Sequence, residues 1–273
     1  MTAAFEITCR RDGAVVPARS LEEALGESPL RGARWLWVAP HDDDLCMGGG
    51  LFLQAAAEAG VDSRIVVVTD GRLGYCRPED QSRIVEIRRE ETYRSFEMLG
   101  VPRSAVTFLG YRDGDAFGSQ GRRPAREGEP EIAGYSGIQN SLTYWLRQVR
   151  PTRVIVPTST DLHPDHRITH SELMISIFHA GGAIWPELGE PIEGAPRVTE
   201  LAVYCDFVDL PQIRIRANEA AFEKKLNSIL EYRSQAQIAA AIETMRRAGP
   251  LEFLRDVEFR LYSPENYRGL FGD

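Results

Sequence analysis

The hydrophobic pattern of the chain repeats one unit several times: a short uninterrupted apolar run, then a longer run with helical spacing. The short runs are Trp35-Leu36-Trp37-Val38-Ala39, Ile65-Val66-Val67-Val68, Val106-Thr107-Phe108-Leu109 and Val154-Ile155-Val156. A strand that alternates apolar and polar side chains buries one face. A strand that is apolar throughout buries both, as strands of parallel sheets do. Strands are therefore predicted over residues 35–39, 64–69, 106–109 and 153–157, and another over 199–205. The longer runs predict helices over 49–59, 79–99, 138–149, 168–180 and 217–245. In the second, Ile84, Ile87, Tyr93, Phe96 and Leu99 fall near one stripe, and Gly100 stops it. In the last, Phe222, Leu226, Ile229 and Leu230 share a face.

Ahead of the first unit, residues 5–9 read as a short edge strand, and Ser20 with Glu23 has the spacing of a capping box. Repeated strand-then-helix units specify an α/β fold: Rossmann-like, with a mainly parallel sheet covered by helices on both faces. No internal repeat or linker interrupts residues 1–273, so one domain is expected, with 1–33 as an N-terminal extension. Two Gly- and Pro-rich excursions stand out, 118–134 and 181–196. The first reads either as a mobile lid over a site at the strand ends or as a plain solvated loop.

Composition narrows the partners. A formal net charge of −8 over 273 residues lacks the basic face that a phosphate-backbone binder needs, and gives no support to docking on anionic lipid. No stretch approaches the roughly 20 apolar residues of a transmembrane helix, and residues 1–11 hold no signal-type apolar core. Cys9, Cys46, Cys76 and Cys205 are scattered, form no CxxC pair, and fit reduced thiols. The expectation is a cytoplasmic protein that meets a small molecule, with no nucleic acid and no membrane among its partners.

The chemistry concentrates at strand ends. His41-Asp42-Asp43-Asp44 follows the first core strand, Asp113 the third, and Asp161-Leu162-His163-Pro164-Asp165-His166 the fourth. In open α/β sheets the C-terminal ends of the strands share one rim, where ligands bind. A helix cap needs one Asp, and three in a row beside an imidazole exceed that need. His and Asp together suit a hard-to-borderline metal ion. Residues i and i+3 at a strand-to-helix turn can curl around one ion. His41/Asp44 and His163/His166 both have that spacing, and Asp43 is left beside the ion as a candidate base. A hydrolytic metal site needs such parts: three protein ligands with a position open to water, a base for the water's proton, and a group to meet the oxyanion.

These residues carry a resemblance. His41-Asp42-Asp43-Asp44-Leu45, preceded by Ala39-Pro40, is similar to a His-Pro-Asp-Asp-Glu motif, and His163-Pro164-Asp165-His166 is an intact His-Pro-Asp-His. Between and after them stand Arg88-Arg89-Glu90-Glu91 with Leu99-Gly100-Val101, Leu109-Gly110-Tyr111-Arg112-Asp113-Gly114, and Lys225-Leu226 through Tyr232-Arg233-Ser234-Gln235. In this order, over residues 33–236, the chain resembles the PIG-L/LmbE-like superfamily of zinc-dependent N-deacetylases. The resemblance implies that His41, Asp44 and His166 ligate Zn2+ and that Asp43 is the general base. It implies that His163 is the charged group that meets the oxyanion or helps the amine leave. Arg88 and Asp113 match positions that contact sugar hydroxyls, and Asp165 would orient a neighbouring His. The implied activity removes an acetyl or other acyl group from an N-acetylated amino sugar or its conjugate. The family's substrates are lipid-linked, inositol-linked, malate-linked, oligosaccharide or antibiotic amino sugars, and homo-oligomers are common in it. Two alternatives keep part of this picture: a metal-dependent phosphoesterase, and a non-catalytic sugar-binding relative.

Two departures from the motifs bear on the site. Asp42 replaces the motif proline and is expected to add charge near the rim, and Leu45 replaces its glutamate. Asp161 stands two residues before the second motif, where some family members carry Tyr. Other candidates have plainer readings. His170 is expected on a helix surface and His179 as a cap complementing a helix dipole. Cys46 reads as a small buried hydrophobe. Gly48-Gly49-Gly50 lacks the spacing of a nucleotide fingerprint and reads as close helix–strand packing. Residues 83–94 read as a solvated face, Arg88 excepted.

Overall fold

The computed structural model describes residues 3–271. An N-terminal hairpin of β1 (Phe5–Arg11) and β2 (Ala14–Ala18) leads into α1 (Leu21–Leu25), where the Ser20 side chain caps the helix by accepting from the Glu23 amide. The βα alternation follows: β3 (Arg34–Ala39), α2 (Asp44–Glu58), β4 (Asp62–Thr69), α3 (Ile84–Met98) and β5 (Val106–Tyr111). A small ribbon, β6 (Arg123–Pro124) with β7 (Tyr135–Ser136), precedes α4 (Ile138–Val149), β8 (Arg153–Pro157), α5 (Pro164–Gly181) and β9 (Arg197–Leu201). The chain ends with β10 (Ile213–Ala217), α6 (Glu219–Leu230), α7 (Ile238–Ala248), β11 (Leu251–Val257) and α8 (Glu265–Phe271).

Nine strands form one sheet in the order β2-β1-β10-β11-β9-β8-β3-β4-β5. The run from β9 to β5 is parallel, and the strands beyond β9 pair antiparallel. The fold is thus the expected α/β, Rossmann-type architecture, with an antiparallel extension. Two strands of that extension, β10 and β11, were not legible as strands. Ile213-Arg214-Ile215-Arg216 and Leu251-Glu252-Phe253-Leu254 bury only alternate positions, so they lack the continuous apolar run of a strand covered on both sides.

The two faces of β3 and β4 explain why the site is where it is. Trp35, Trp37, Ile65 and Val67 pack with Phe52 of α2, Phe96 of α3 and Leu226 of α6, and the Trp37 and Phe52 rings lie 5.1 Å apart. Leu36, Val38, Val66 and Val68 pack with Leu142 and Leu146 of α4 and Leu173 and Ile177 of α5. Each such buried side chain contributes about 1.5–3 kcal/mol. From β3 the chain passes through α2 to β4 on one side, while β8, on the other side of β3, is reached from β5 through α4. The crevice beyond β3 and β8 is therefore the topological switch point, where ligands bind in such sheets. His41 follows β3, and His163 to His166 open α5 after β8.

Several expectations are corrected by packing. Helix α2 starts at Asp44, ahead of the glycines, and Gly49 interrupts it with φ −139° and ψ 18°. A Cβ on Gly49 would stand 2.7 Å from Leu201 Cδ1, and one on Gly48 2.9 Å from the Ala202 carbonyl oxygen. Near the kink, the Leu51 and Phe52 amides donate to the Glu252 carboxylate at 2.9 Å each, and Glu252 pairs with Lys225 at 2.6 Å. The helix expected over 79–99 begins as a 3₁₀ turn, Pro78–Arg83. The one expected over 217–245 breaks after Leu230, because the Ser234 amide and hydroxyl both donate to the buried Glu91 carboxylate, at 2.8 and 2.7 Å. The strand expected over 199–205 stops at Leu201.

The 118–134 excursion is no wall of the site. Arg122 stacks on Tyr135, 3.3 Å from the ring centroid, and bonds Asn140 and Glu187, which ties the segment to α4. His170 is buried rather than on a surface, its Nε2 3.0 Å from Glu200 Oε1. His179 does not complement the α5 dipole as a charge: burial and then the Arg147 guanidinium push its pKa down. Arg147 serves that helix end instead, donating to the carbonyls of His179, Ala180 and Gly182.

Candidate metal centre and substrate pocket

Three donor atoms meet in the crevice. His41 Nδ1 faces His166 Nε2 at 3.1 Å, and Asp44 Oδ2 lies 3.4 Å from the first and 3.2 Å from the second. All three residues are buried, and Asp44 Oδ1 has no hydrogen-bond partner. A tetrahedral ion with bonds of about 2.0–2.1 Å holds its ligands about 3.3–3.4 Å apart. The three contacts, at 3.1–3.4 Å, come within about 0.2 Å of that spacing, and the unpartnered carboxylate oxygen is of the kind a cation satisfies. The set fits a divalent metal. His163 also stands near His41 and His166, within 4.8 Å through its ring nitrogens.

The far side of each imidazole meets a carboxylate. His41 Nε2 is 3.3 Å from both Asp165 Oδ2 and Asp113 Oδ1. Asp165 is itself fixed by the amides of Gly114 and Ala116, at 2.8 and 3.1 Å, and Asp113 accepts from the Leu73 amide at 3.0 Å. His166 Nδ1 lies 3.3 Å from Asp161 Oδ2, a charge contact without hydrogen-bond alignment. A proton held on each outward nitrogen leaves the lone pairs of His41 Nδ1 and His166 Nε2 aimed at one point, the arrangement that orients metal-binding histidines. Asp161, met in the sequence only as a departure, is thus the carboxylate behind His166. It also accepts from the amides of His163 and Tyr204, at 3.0 and 3.2 Å.

The charges follow this geometry. Burial alone would raise the Asp44 carboxyl, but the His166 and His41 charges hold it far below the ordinary range. Burial alone would lower both histidines; Asp44, first among the neighbouring carboxylates, instead lifts His41 well above its usual value and His166 to about 9. His163 goes the other way, lowered by burial and by the charges of His41 and His166. Its Nδ1 accepts the Asp165 amide at 3.2 Å as the cap of α5. With Nδ1 accepting that amide, the ring's free N–H is at Nε2, and His163 lines the cavity.

Asp42 is corrected as well. It adds no free charge at the rim, because it is buried and holds Arg88 through two bonds, Nε to Oδ2 at 2.7 Å and Nη2 to Oδ1. Burial lifts the Asp42 carboxyl to about 6 in spite of Arg88, so the pair is ionised at neutral pH. Arg88 Nη2 also lies 3.4 Å from Asp43 Oδ2. Arg88 thus contacts both carboxylates, while its Nη1 donates to the Gly71 carbonyl at 3.4 Å.

A cavity of about 270 Å³ opens over the centre. Its walls include His41, Asp43, Arg88, Asp113, His163 and Tyr204, with Leu73, Gly74, Tyr75, Gln235 and Gln237. Gly74 lies close under Gln235: a Cβ there would stand 2.6 Å from Gln235 Nε2. The sequence marked Gln235 only by resemblance and missed Tyr204, Tyr75 and Gln237, which lie on connections with no pattern of their own. The Tyr204 ring stacks toward His163 with centroids 6.2 Å apart, and its hydroxyl stays protonated because burial and the Asp44 charge raise its pKa. A larger and more apolar cavity, about 730 Å³, lies between α2, α7 and β11, with Met47, Phe222, Met245, Val208 and Phe253 on its walls.

Comparison with known proteins decides the family. The PIG-L family model, described as GlcNAc-PI de-N-acetylase, matches residues 36–177, more than half of the chain. The chain belongs to the PIG-L family. It is 28% identical over 137 residues to a diacetylchitobiose deacetylase of Thermococcus kodakarensis, covering 48% of this chain and 44% of that protein. It is 30% identical over 167 residues to a 1D-myo-inositol 2-acetamido-2-deoxy-alpha-D-glucopyranoside deacetylase of Kineococcus radiotolerans, covering 55% and 46%. The chain thus spans less than half the length of the curated relatives it matches. Among solved structures, an N,N'-diacetylchitobiose deacetylase of Pyrococcus horikoshii has a TM-score of 0.65 at 23% identity, over 92% of this chain and 94% of that one. A 4-carboxy-2-hydroxymuconate hydratase of Pseudomonas putida has a TM-score of 0.62 at 19% identity, over 85% and 98%. At these identities the likeness is one of fold, and a fold hosts more than one chemistry. Among the described residues, no helix is long and apolar enough to cross a membrane.

Proposed function

We propose that this PIG-L family chain is a zinc-dependent N-deacetylase of an amino sugar or its conjugate. The observation that carries the reading is the set of three donor atoms 3.1–3.4 Å apart with a separate carboxylate, Asp43, in the wall of the adjoining cavity. His41, Asp44 and His166 would hold zinc, which when bound acidifies a water and polarises an amide carbonyl.

The residues of the chain do the rest. Asp43 takes a proton from the attacking water as its oxygen bonds to the amide carbon. His163 donates its Nε2–H to the carbonyl oxygen as negative charge grows there. The Tyr204 hydroxyl is a second donor on the same side. When the C–N bond breaks, Asp43 returns the proton to the departing amine, and acetate and a free amine leave. Arg88 is a positioning residue that holds Asp43, and Asp113 with Gln235 and Gln237 offers partners to sugar hydroxyls. Among the residues that line the cavity, Arg88 is the one Lys or Arg, and Asp42 already takes it. That favours a neutral amide over a phosphoester.

Amine release tests the reading. Zinc-loaded protein should convert an N-acetylated amino sugar to amine and acetate in equal amounts, stop with a chelator, and resume with added zinc. Stoichiometric zinc with no amine from any N-acyl sugar would defeat it.

A further inference from the structure

The larger, apolar cavity is built from parts of the chain that also build the metal centre. Met47 and Gly48 of α2 stand in its wall, one helical turn after Asp44. The helix departs from α geometry at Gly49, so Asp44 stands on the short segment before that interruption. Another wall is the connection from β9 to β10, through Ala202 and residues 206–211. That connection is tied to the strand end behind His166: the Thr160 hydroxyl donates to the Asp206 carbonyl at 3.0 Å, and Asp161 accepts the Tyr204 amide. The two walls meet where Gly48 passes Ala202.

Size, surface and charge select an occupant. About 730 Å³ falls inside the range of about 300–1,000 Å³ for small-molecule sites. Val208, Leu210 and Phe253 line the cavity although they are 55%, 67% and 44% exposed, and large apolar side chains left in water around a cavity mark a surface that a ligand covers. Met47 and Met245 add flexible surface that adapts to an apolar body. Among the lining residues Lys225 is the one Lys or Arg, and Glu252 neutralises it. Asp209 is held by Arg255 at 2.7 Å. Asp206 is left: it is exposed, its Oδ1 accepts the Phe207 amide at 2.9 Å, and among the described residues it has no ion-pair partner. Apolar walls with one unpaired carboxylate are complementary to an apolar cation and oppose an anion.

We infer that this cavity is a second ligand site, for an apolar molecule carrying a protonated amine, and that its occupancy is linked to the metal centre through the walls the two share. The apolar body lies against Val208, Phe253 and the methionines, and the ammonium meets Asp206. A ligand there braces Met47 and Ala202, and with them the turn that presents Asp44 and the strand end that backs His166. Amine and zinc then tighten each other's binding by the same factor. The inference goes beyond the deacetylase reading and does not require turnover.

Calorimetry tests the site with three probes of one shape and different charge: phenylbutylamine, phenylbutanol and phenylbutyrate, titrated into the zinc-loaded and the metal-free protein. One amine is expected to bind per chain, about 3-fold tighter than the alcohol, with the carboxylate weakest. Asp206→Asn should remove the advantage of the amine over the alcohol. Phe253→Ser should weaken both about 10-fold. Val208→Ser, on the connection between strands, should weaken both about 3-fold and decides the matter where Phe253→Ser fails to fold. Phe178→Ser, at an exposed phenylalanine of α5, should change neither. Saturating amine should raise zinc affinity about 5-fold, read by competition with a chromophoric chelator, and Phe253→Ser at the same amine concentration should cut that gain. No saturable binding, a preference for the carboxylate, or binding that neither Phe253→Ser nor Val208→Ser weakens overturns the site. So does an oligomer that excludes the amine and that Phe253→Ser dissociates, which makes a second copy the occupant. A zinc affinity unmoved by amine overturns the linkage, as does a gain that Phe253→Ser leaves intact, which places the amine on the ion itself. All these readouts are binding, so they stand apart from any failure to release amine from an N-acyl sugar.

Discussion

His41 Nδ1 and His166 Nε2 face each other at 3.1 Å, although 125 residues separate them in the chain. Two such nitrogens close together need a shared proton or a cation between them. With Asp44 completing the triangle and carboxylates behind both rings, the centre is organised before any ion arrives.

The carboxylate behind His166 should matter almost as much as the ligands. Asp161→Asn removes the charge that faces the ring's outward nitrogen at 3.3 Å. Zinc affinity is expected to fall about 10–100-fold, measured by competition with a chromophoric chelator. Unchanged affinity would mean that His166 needs no orientation from Asp161.

The buried pair below the centre predicts a stability effect. Arg88→Ala leaves the Asp42 carboxylate without its charged partner, with only the Thr92 hydroxyl at 3.3 Å, and breaking a buried pair from one side costs about 3–5 kcal/mol. Urea unfolding should report that loss. A change near zero would mean that water reaches Asp42 and that the pair is not closed off.

The pH dependence of the metal-free protein has a definite sign. His166 is raised from 6.5 to about 9, and His41 is raised too. A group with a raised folded-state pKa contributes stability that is complete below its unfolded pKa and lost as pH rises through the folded value. The melting temperature with chelator present is therefore expected to fall between pH 6.5 and about 9. Zinc takes the place of those protons, so the gap between zinc-loaded and metal-free protein should widen over the same window. A metal-free melting temperature that rises there contradicts the arrangement.

The parallel half of the fold was legible because Trp35–Ala39, Ile65–Val68 and Val154–Val156 bury both faces and leave an unbroken apolar signature. The antiparallel half was not, because β10 and β11 alternate buried and exposed positions among charged residues. The metal ligands were legible because each pair is local: two strand ends write their chemistry within a few residues. What closes the site is not local. Asp42 finds Arg88 across 46 residues, Glu91 finds Ser234 across 143, and Asp161 finds Tyr204 across 43. No periodicity encodes such pairs. They also reversed two readings, turning Asp42 from a rim charge into a buried partner and a continuous helix into the break that delivers Gln235.

The most direct test of the account separates ion from base in one variant. Asp43→Asn keeps His41, Asp44 and His166 and removes the group assigned to the water's proton. Zinc content, by elemental analysis, is expected to stay near one per chain while amine release falls at least about 100-fold. Turnover near wild type with zinc retained would contradict the assignment of Asp43. Loss of the zinc itself would contradict the division of the cluster into three ligands and a base.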